Sequence, residues 1–242
     1  MEAREYERLR EHERDYWWHV ARRRFLAAML EWGVPGDPRR PGLDIGCGTG
    51  ANFELLAPYG RFVGTEVTGA YGLANSAPVV LARGEALPFA DASIGLCTFF
   101  DVLEHVQAEE GFLREVERVL RPGGLALLSV PAYSFLWSEH DVSLHHHRRY
   151  DRRTLHEALT RNGFEVLRIT YAMALILPAV AAVRAWSRFR PSEGGGASTY
   201  VATPEPWNGW LIDALGVEAR LLRWTDLPFG TSLLALARKG TT

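Results

Sequence analysis

Between residues 44 and 50 the chain reads Asp44-Ile45-Gly46-Cys47-Gly48-Thr49-Gly50. Glycine at alternate positions lets the main chain turn sharply and come close to a ligand. The spacing is G-x-G-x-G, one residue short of the G-x-G-x-x-G loop of dinucleotide folds. Glu66 stands 20 residues after Gly46, where a carboxylate can accept the ribose hydroxyls of an adenosine. A second acid, Glu85, lies in Gly84-Glu85-Ala86-Leu87-Pro88-Phe89, where it can face an adenine edge.

A second constellation is Trp137-Ser138-Glu139-His140-Asp141 followed by His145-His146-His147-Arg148-Arg149-Tyr150, which holds four of the eight histidines. Imidazole exchanges protons near neutral pH. The same residues could serve as a general base or acceptor-orienting group, as a metal site, or as a hydrogen-bonded loop and helix cap. Consecutive histidines rarely all point to one ion, so no metal is expected. Arg148, Arg149, Arg152 and Arg153 could bind a phosphate or begin a solvated helix. His105, in Leu103-Glu104-His105, is expected to make a structural contact. A third block, Tyr16-Trp17-Trp18-His19-Val20-Ala21-Arg22-Arg23-Arg24, mixes aromatic and basic residues.

The elements that must position these groups follow from periodicity and punctuation. Residues 4–32 read as a helix, with Glu–Arg pairs at i,i+3. GVPGDPRRPG, residues 33–42, is a loop. Strands are expected at 43–45, 61–67, 79–82, 94–100, 125–130, 164–170 and 232–238. Helices are expected at 108–120, at 151–161 with Asp151 as its cap, and at 173–189 and 208–224. Strands alternating with helices imply a Rossmann-like, seven-stranded, mostly parallel α/β sheet with helices on both faces, and an antiparallel last strand is expected. The domains read as a helical N-terminal cap, 1–40; a core, 41–171 with 230–242; and a helical insertion before the last strand, 172–229.

Composition sets the outer limits. The 242 residues carry 27 basic and 29 acidic side chains, a net charge of -2, and Lys239 is the only lysine. This balance argues against a nucleic-acid partner. Arginines gather at 22–24, 148–153 and 184–190, which suggests an anionic group on a ligand or an anionic membrane surface. Two cysteines, Cys47 and Cys97, are too few for a disulfide framework. A charged N-terminus without an apolar segment makes a cytoplasmic location the expectation. The most apolar stretch, 171–183, is too short to span a bilayer, although 172–190 could rest on one. A homodimer contact is the competing use of that surface.

Five ordered blocks resemble the class I S-adenosylmethionine-dependent methyltransferases: LDIGCGTG at 43–50, the acid in FVGTEV at 62–67, GEALPFADASI at 84–94, FDVLEHV at 100–106 and EVERVLRPGGLALLSVP at 115–131. The resemblance covers about residues 40–170 and the final strand. It implies S-adenosylmethionine as cofactor, with S-adenosylhomocysteine as product. Asp44, Gly46, Cys47, Gly48 and Gly50 would line the methionine part. Glu66 and Val67 would hold the ribose, Glu85 and Ala86 would read the adenine, and Asp101 would sit near the sulfonium. Tyr16 and Arg22 match an N-terminal segment that caps the cofactor pocket in some relatives. Many relatives carry Asp where Glu66, Glu85 and Gly95 stand here.

The resemblance also implies methyl transfer, an in-line displacement that needs alignment and sometimes a base. The catalytic candidates are His140, His145 and Tyr150. The insertion would form an apolar lid over a small-molecule or lipid-like acceptor, methylated on oxygen, with carbon and nitrogen as alternatives. The Asn/Asp-Pro-Pro-aromatic motif of nucleic-acid amino methylation is absent after the fourth strand. A fold that binds the cofactor without chemistry, as a sensor or partner subunit, is the alternative from another class.

Overall fold

The computed structural model describes residues 13–67, 78–187 and 203–240. Seven strands form one sheet in the order β3-β2-β1-β4-β5-β7-β6. They are β1 Pro41–Ile45, β2 Arg61–Glu66, β3 Val79–Leu81, β4 Ile94–Phe100, β5 Leu120–Pro131, β6 Phe164–Ala172 and β7 Ser232–Lys239. Neighbours pair in parallel except β7, which runs antiparallel to both β5 and β6. The expected sheet is therefore present, including its antiparallel last strand. All seven residues of β4 are buried, as both faces of a central parallel strand must be when helices cover them. Strand order reverses between β1 and β4, which opens a crevice at their carboxyl ends.

The helices are α1 Trp17–Gly33, the one-turn α2 Phe53–Leu56, α3 Glu109–Val119, the short α4 Glu139–Ser143, α5 Arg152–Arg161, α6 Leu177–Ser187 and α7 Trp207–Leu221. In α3 the buried residues Phe112, Leu113, Val116 and Val119 recur at helical spacing and meet the sheet, Phe112 edge-on to Phe99. A Cβ on Gly84 would collide with the Phe112 ring, so glycine there lets the turn before Glu85 lie flat on α3. Asp151 and Thr154 form a reciprocal capping box at α5, and Gly163, at φ 85°, ends that helix region.

Some boundaries differ from expectation. Within the described part of the helix read over 4–32, residues 13–15 form a turn and the helix runs from Trp17. Residues 4–12 and the 191–200 loop lie outside the described residues. Strand β5 begins at Leu120, five residues early. The Pro-Gly-Gly segment does not separate helix from strand but enters the sheet through a register shift opposite Ile94 and Leu96, with Gly123 at φ 72°. Gly95 has a steric reason: a Cβ there would stand 2.7 Å from Arg40 Cγ and 3.0 Å from the Arg121 guanidinium.

The N-terminal helix and the insertion pack on each other. The Asn208 carboxamide accepts from the Trp17 N–H and donates to the Asp15 carbonyl. Arg24 donates to the Ile212 carbonyl, and Arg223 pairs with Glu31. Buried Glu218 accepts from the Ala174 and Leu175 N–H groups, which ties α7 to the chain leaving β6. No helix among the described residues is long and apolar enough to cross a membrane.

Candidate active site at the carboxyl edge of the sheet

The glycine loop leaves β1 at the crevice. Gly46, Gly48 and Gly50 all have positive φ, at 67°, 56° and 80°, a conformation that glycine adopts without penalty. The Gly46 and Cys47 N–H groups both donate to the Thr65 carbonyl, which hangs the loop on β2. A Cβ on Gly46 would stand 2.6 Å from Val102 Cγ2, whereas one on Gly48 would meet nothing within 4 Å. Among the described residues, the Gly48 side of the loop is therefore open. Cys47 turns its thiol inward, where a Cβ on Gly64 would come within 2.5 Å of Sγ. Burial raises that thiol well above its ordinary pKa, so Cys47 contributes main chain to the loop rather than a reactive sulfur.

Two carboxylates flank the loop. Glu66, at the end of β2, accepts from the Gly48 N–H at 3.0 Å and from the Val67 N–H at 3.2 Å. Asp44 is buried; its Oδ1 accepts from the Thr98 hydroxyl at 2.6 Å, while its Oδ2 has no hydrogen-bond partner. Burial pushes the Asp44 carboxyl up to about 7, against the opposing effects of Thr98 and Arg22. Glu85 and Ala86 lie exposed on the turn after β3, with the Ala86 N–H bonded to the Arg83 carbonyl. Sequence reasoning missed Glu13, a buried carboxylate that accepts from the Thr49 hydroxyl at 2.5 Å and whose carbonyl accepts from Arg23. It lies in a charged stretch with no local pattern to mark it.

At the ends of β4, β5 and β6 stand Asp101, Tyr133 and Met173, all non-glycine residues with positive φ. Such backbone strain collects at functional sites. Asp101 accepts from the Ser129 hydroxyl at 3.0 Å, and Arg22 Nε lies 2.7 Å from Asp101 Oδ2. This contact is an ion pair rather than an aligned hydrogen bond. The Arg22 guanidinium also lies over the rings of Trp18 and Phe100. Arg22, Asp101, Ser129, Met173 and Ser232 line a narrow cavity of about 10 Å³, room for no more than one water molecule. Tyr16 caps the start of α1 and leans on the rings of Trp17 and His19. A cavity of about 410 Å³ lies against edge strand β6 between Trp32, Arg168 and Trp224, and shares no residue with the glycine loop.

The histidine segment folds around Asp141. This fully buried carboxylate accepts from the Ser138 N–H, lies 2.9 Å from His146 Nδ1 and accepts from Arg149 Nε at 2.7 Å. Burial alone would raise its pKa, but the contacts from His146 and Arg149 prevail and hold it well below the usual carboxylate range. His146 stands edge-on to His105, with ring centroids 4.6 Å apart. Buried Glu104 joins them; burial, then the nearby Asp101 charge, raises its carboxyl well above the ordinary value. His105 is pushed down to about 4 by burial and by His146, and His140 to about 4 by burial and by Arg184.

Of the three catalytic candidates, none joins this convergence. His145 is exposed at φ 57°. Tyr150 is buried and donates its hydroxyl to Glu109 at 2.5 Å; burial and that bond raise its pKa far above the phenol value. His140 is half-buried beside the cluster. Glu104 was missed, and His146 was not singled out from its triplet, because the approach of the β4 exit to the β5 exit leaves no local pattern.

The arginine groups mostly meet partners inside the chain. Arg22 pairs with Asp101, Arg23 holds the Glu13 carbonyl, Arg148 pairs with Glu109 and Arg149 with Asp141. Arg184 donates to Ser138. These described arginines thus have partners within the chain; Arg188 and Arg190 lie outside the described residues.

Residues 43–128 match a family described as a methyltransferase domain. An uncharacterized methyltransferase of Mycolicibacterium paratuberculosis is 32% identical over 166 residues, which cover 62% of this chain and 65% of that protein. A Mycolicibacterium smegmatis protein named a probable S-adenosylmethionine-dependent methyltransferase is 36% identical over 132 residues, 51% of each chain. The match thus spans between half and two thirds of these relatives. Among solved structures, a chain of the Haloferax volcanii complex containing the Trm112 methyltransferase activator has a TM-score of 0.62 at 18% identity. It is covered over 94% of its length by 98% of this chain, a likeness of fold.

Proposed function

We propose that the chain, which matches a methyltransferase-domain family over residues 43–128 and is 32% and 36% identical to two proteins named as methyltransferases, is a class I S-adenosylmethionine-dependent methyltransferase that methylates a small-molecule or lipid-like acceptor, on oxygen in the first instance. The observation that carries the cofactor assignment is the pairing of an open glycine loop with two carboxylates at the reversal of strand order. One of these, Asp44, has an unpartnered oxygen suited to a cation.

The residues fit the cofactor. Glu66 would hold the ribose hydroxyls, and Glu85 with Ala86 the adenine edge. Asp44 and the loop glycines would take the methionine end. When bound, S-adenosylmethionine supplies a methyl group already activated on a sulfonium. The protein's part is alignment and exclusion of water. Arg22 ties α1 to Asp101 at the sheet edge, and α7 packs behind α1, so the cap and the insertion together serve as the lid. Exposed Leu175, Val183, Trp186, Trp207 and Trp210 on the insertion favour a hydrophobic acceptor. His140, uncharged above about pH 4, is the remaining candidate for orienting an acceptor.

Titration of the purified chain with S-adenosylhomocysteine tests the assignment. Saturable binding supports it, and no binding at millimolar ligand would reject it. One observation favours a second reading, a cofactor-binding sensor without chemistry: the edge cavity beside Asp101 is only about 10 Å³. Turnover of any acceptor in a metabolite screen would exclude that reading.

A further inference from the structure

We propose that Glu104, His105 and His146 form a binding site for a divalent first-row transition metal, with Asp141 as the residue that positions His146. The site is separate from the glycine loop and does not rest on the acceptor assigned above.

Glu104 and His105 are brought to the site by the single turn Leu103–His105 after β4. His146 arrives from the loop after α4, which is docked on that turn by the bond from the His147 N–H to the Glu104 carbonyl at 2.8 Å. One carboxylate oxygen and one nitrogen of each imidazole all lie within 4.8 Å of one another. Donors about 2.0–2.1 Å from a tetrahedral ion stand about 3.3 Å apart, so a small inward shift would close the set. His105 is solvent-accessible as a residue, and its ring already packs against His146.

Two independent observations point to a cation. Glu104 is 1% exposed and its Oε2 has no hydrogen-bond partner among the described residues; a buried carboxylate oxygen is costly without one. The second is Asp141. Its Oδ1 takes Nδ1 of His146 at 2.9 Å, which leaves Nε2 as the ring's ligand atom. A carboxylate behind an imidazole is the usual support of a metal-bound histidine, where it fixes the tautomer and raises ligand basicity. Two imidazoles and one carboxylate suit zinc, manganese or iron(II), and three protein ligands leave coordination positions open. Consecutive histidines do not converge here. His146 alone of the triplet joins the set, with partners that come from another strand end.

The test uses tag-free full-length protein, stripped with chelator and titrated with Zn2+, with Mg2+ as the hard-cation comparison. We expect one Zn2+ per chain, much tighter than Mg2+. His105→Ala, His146→Ala and Glu104→Gln should each weaken it at least tenfold, and Asp141→Asn by 10- to 100-fold. His145→Ala and His147→Ala should leave it unchanged. Because Asp141 and Glu104 are buried, the exposed His105→Ala variant keeps the test decisive if the others unfold. Absence of Zn2+ binding, or binding undiminished in His105→Ala, would overturn the site. A parallel titration with S-adenosylhomocysteine separates this outcome from failure of the cofactor assignment.

Discussion

In the proposed site, Asp44 and Glu66 would divide the recognition of one ligand by their surroundings. Asp44 is sealed in and held near pH 7 by burial, so in the ligand-free fold its ionised form is disfavoured. Its folded pKa lies above the unfolded one. That contribution to stability is therefore complete below about pH 4 and is lost as pH rises through about 7. A cationic ligand group beside Oδ2 reverses the preference. Binding of S-adenosylhomocysteine near pH 6 should release a proton, seen as a dependence of titration heat on buffer ionisation, and affinity should rise between pH 5 and 8. Asp44→Asn should abolish both effects. Glu66→Ala should lower affinity by a factor of ten or more, since it removes charge-assisted bonds worth roughly 1.5–3 kcal/mol. Equal affinities for wild type and Glu66→Ala would remove Glu66 from the site.

At the scale of elements, the active edge depends on how a few turns are held. The flat approach of the β3 exit to α3 requires Gly84, where any side chain meets Phe112. Gly84→Ala should cost about 1–3 kcal/mol by overpacking, read as a lower urea midpoint. At α5, Asp151→Ala removes the bond to the Thr154 N–H and should cost about 1 kcal/mol. The histidine segment is built the same way. A capping box joining Ser138 to Asp141 starts α4, and the same Asp141 then reaches forward to His146 and Arg149. One carboxylate ends a loop, begins a helix turn and orients an imidazole.

Across the whole molecule, cap, sheet and insertion meet at one edge. Glu13 touches the glycine loop, Arg22 the end of β4, and α1 and α7 lie against each other. A ligand that bridges loop and cap should therefore stabilise the whole fold. At 100 times its dissociation constant, S-adenosylhomocysteine should add about 2.7 kcal/mol, which corresponds to a rise of about 5–10 °C in melting temperature for a chain of this size. A Tm unchanged by saturating ligand would contradict that coupling.

Much of this was legible in one dimension because the information is local. Alternating turn, strand and helix signals defined the sheet, and the glycines and acids that end β1 and β2 occupy places determined by short segments. The place of Asp101 at the end of β4 was legible from its position after a buried strand, while its role near a cofactor was implied only by the family resemblance. What local pattern could not supply was which side chains meet across the edge. His145 and His146 are adjacent in the chain, yet a positive φ turns the first outward while Asp141 draws the second inward toward Glu104 and His105. Among the described arginines, Arg22, Arg148 and Arg149 meet carboxylates of the chain and Arg23 a carbonyl, pairings that spacing along the chain did not reveal. Spacing along the chain determined the elements and the cofactor loop, since hydrogen bonding and amphipathic burial act over a few residues. Only the tertiary structure decided the partners of the charged and imidazole groups, because those depend on strand ends distant in sequence being brought together at one edge.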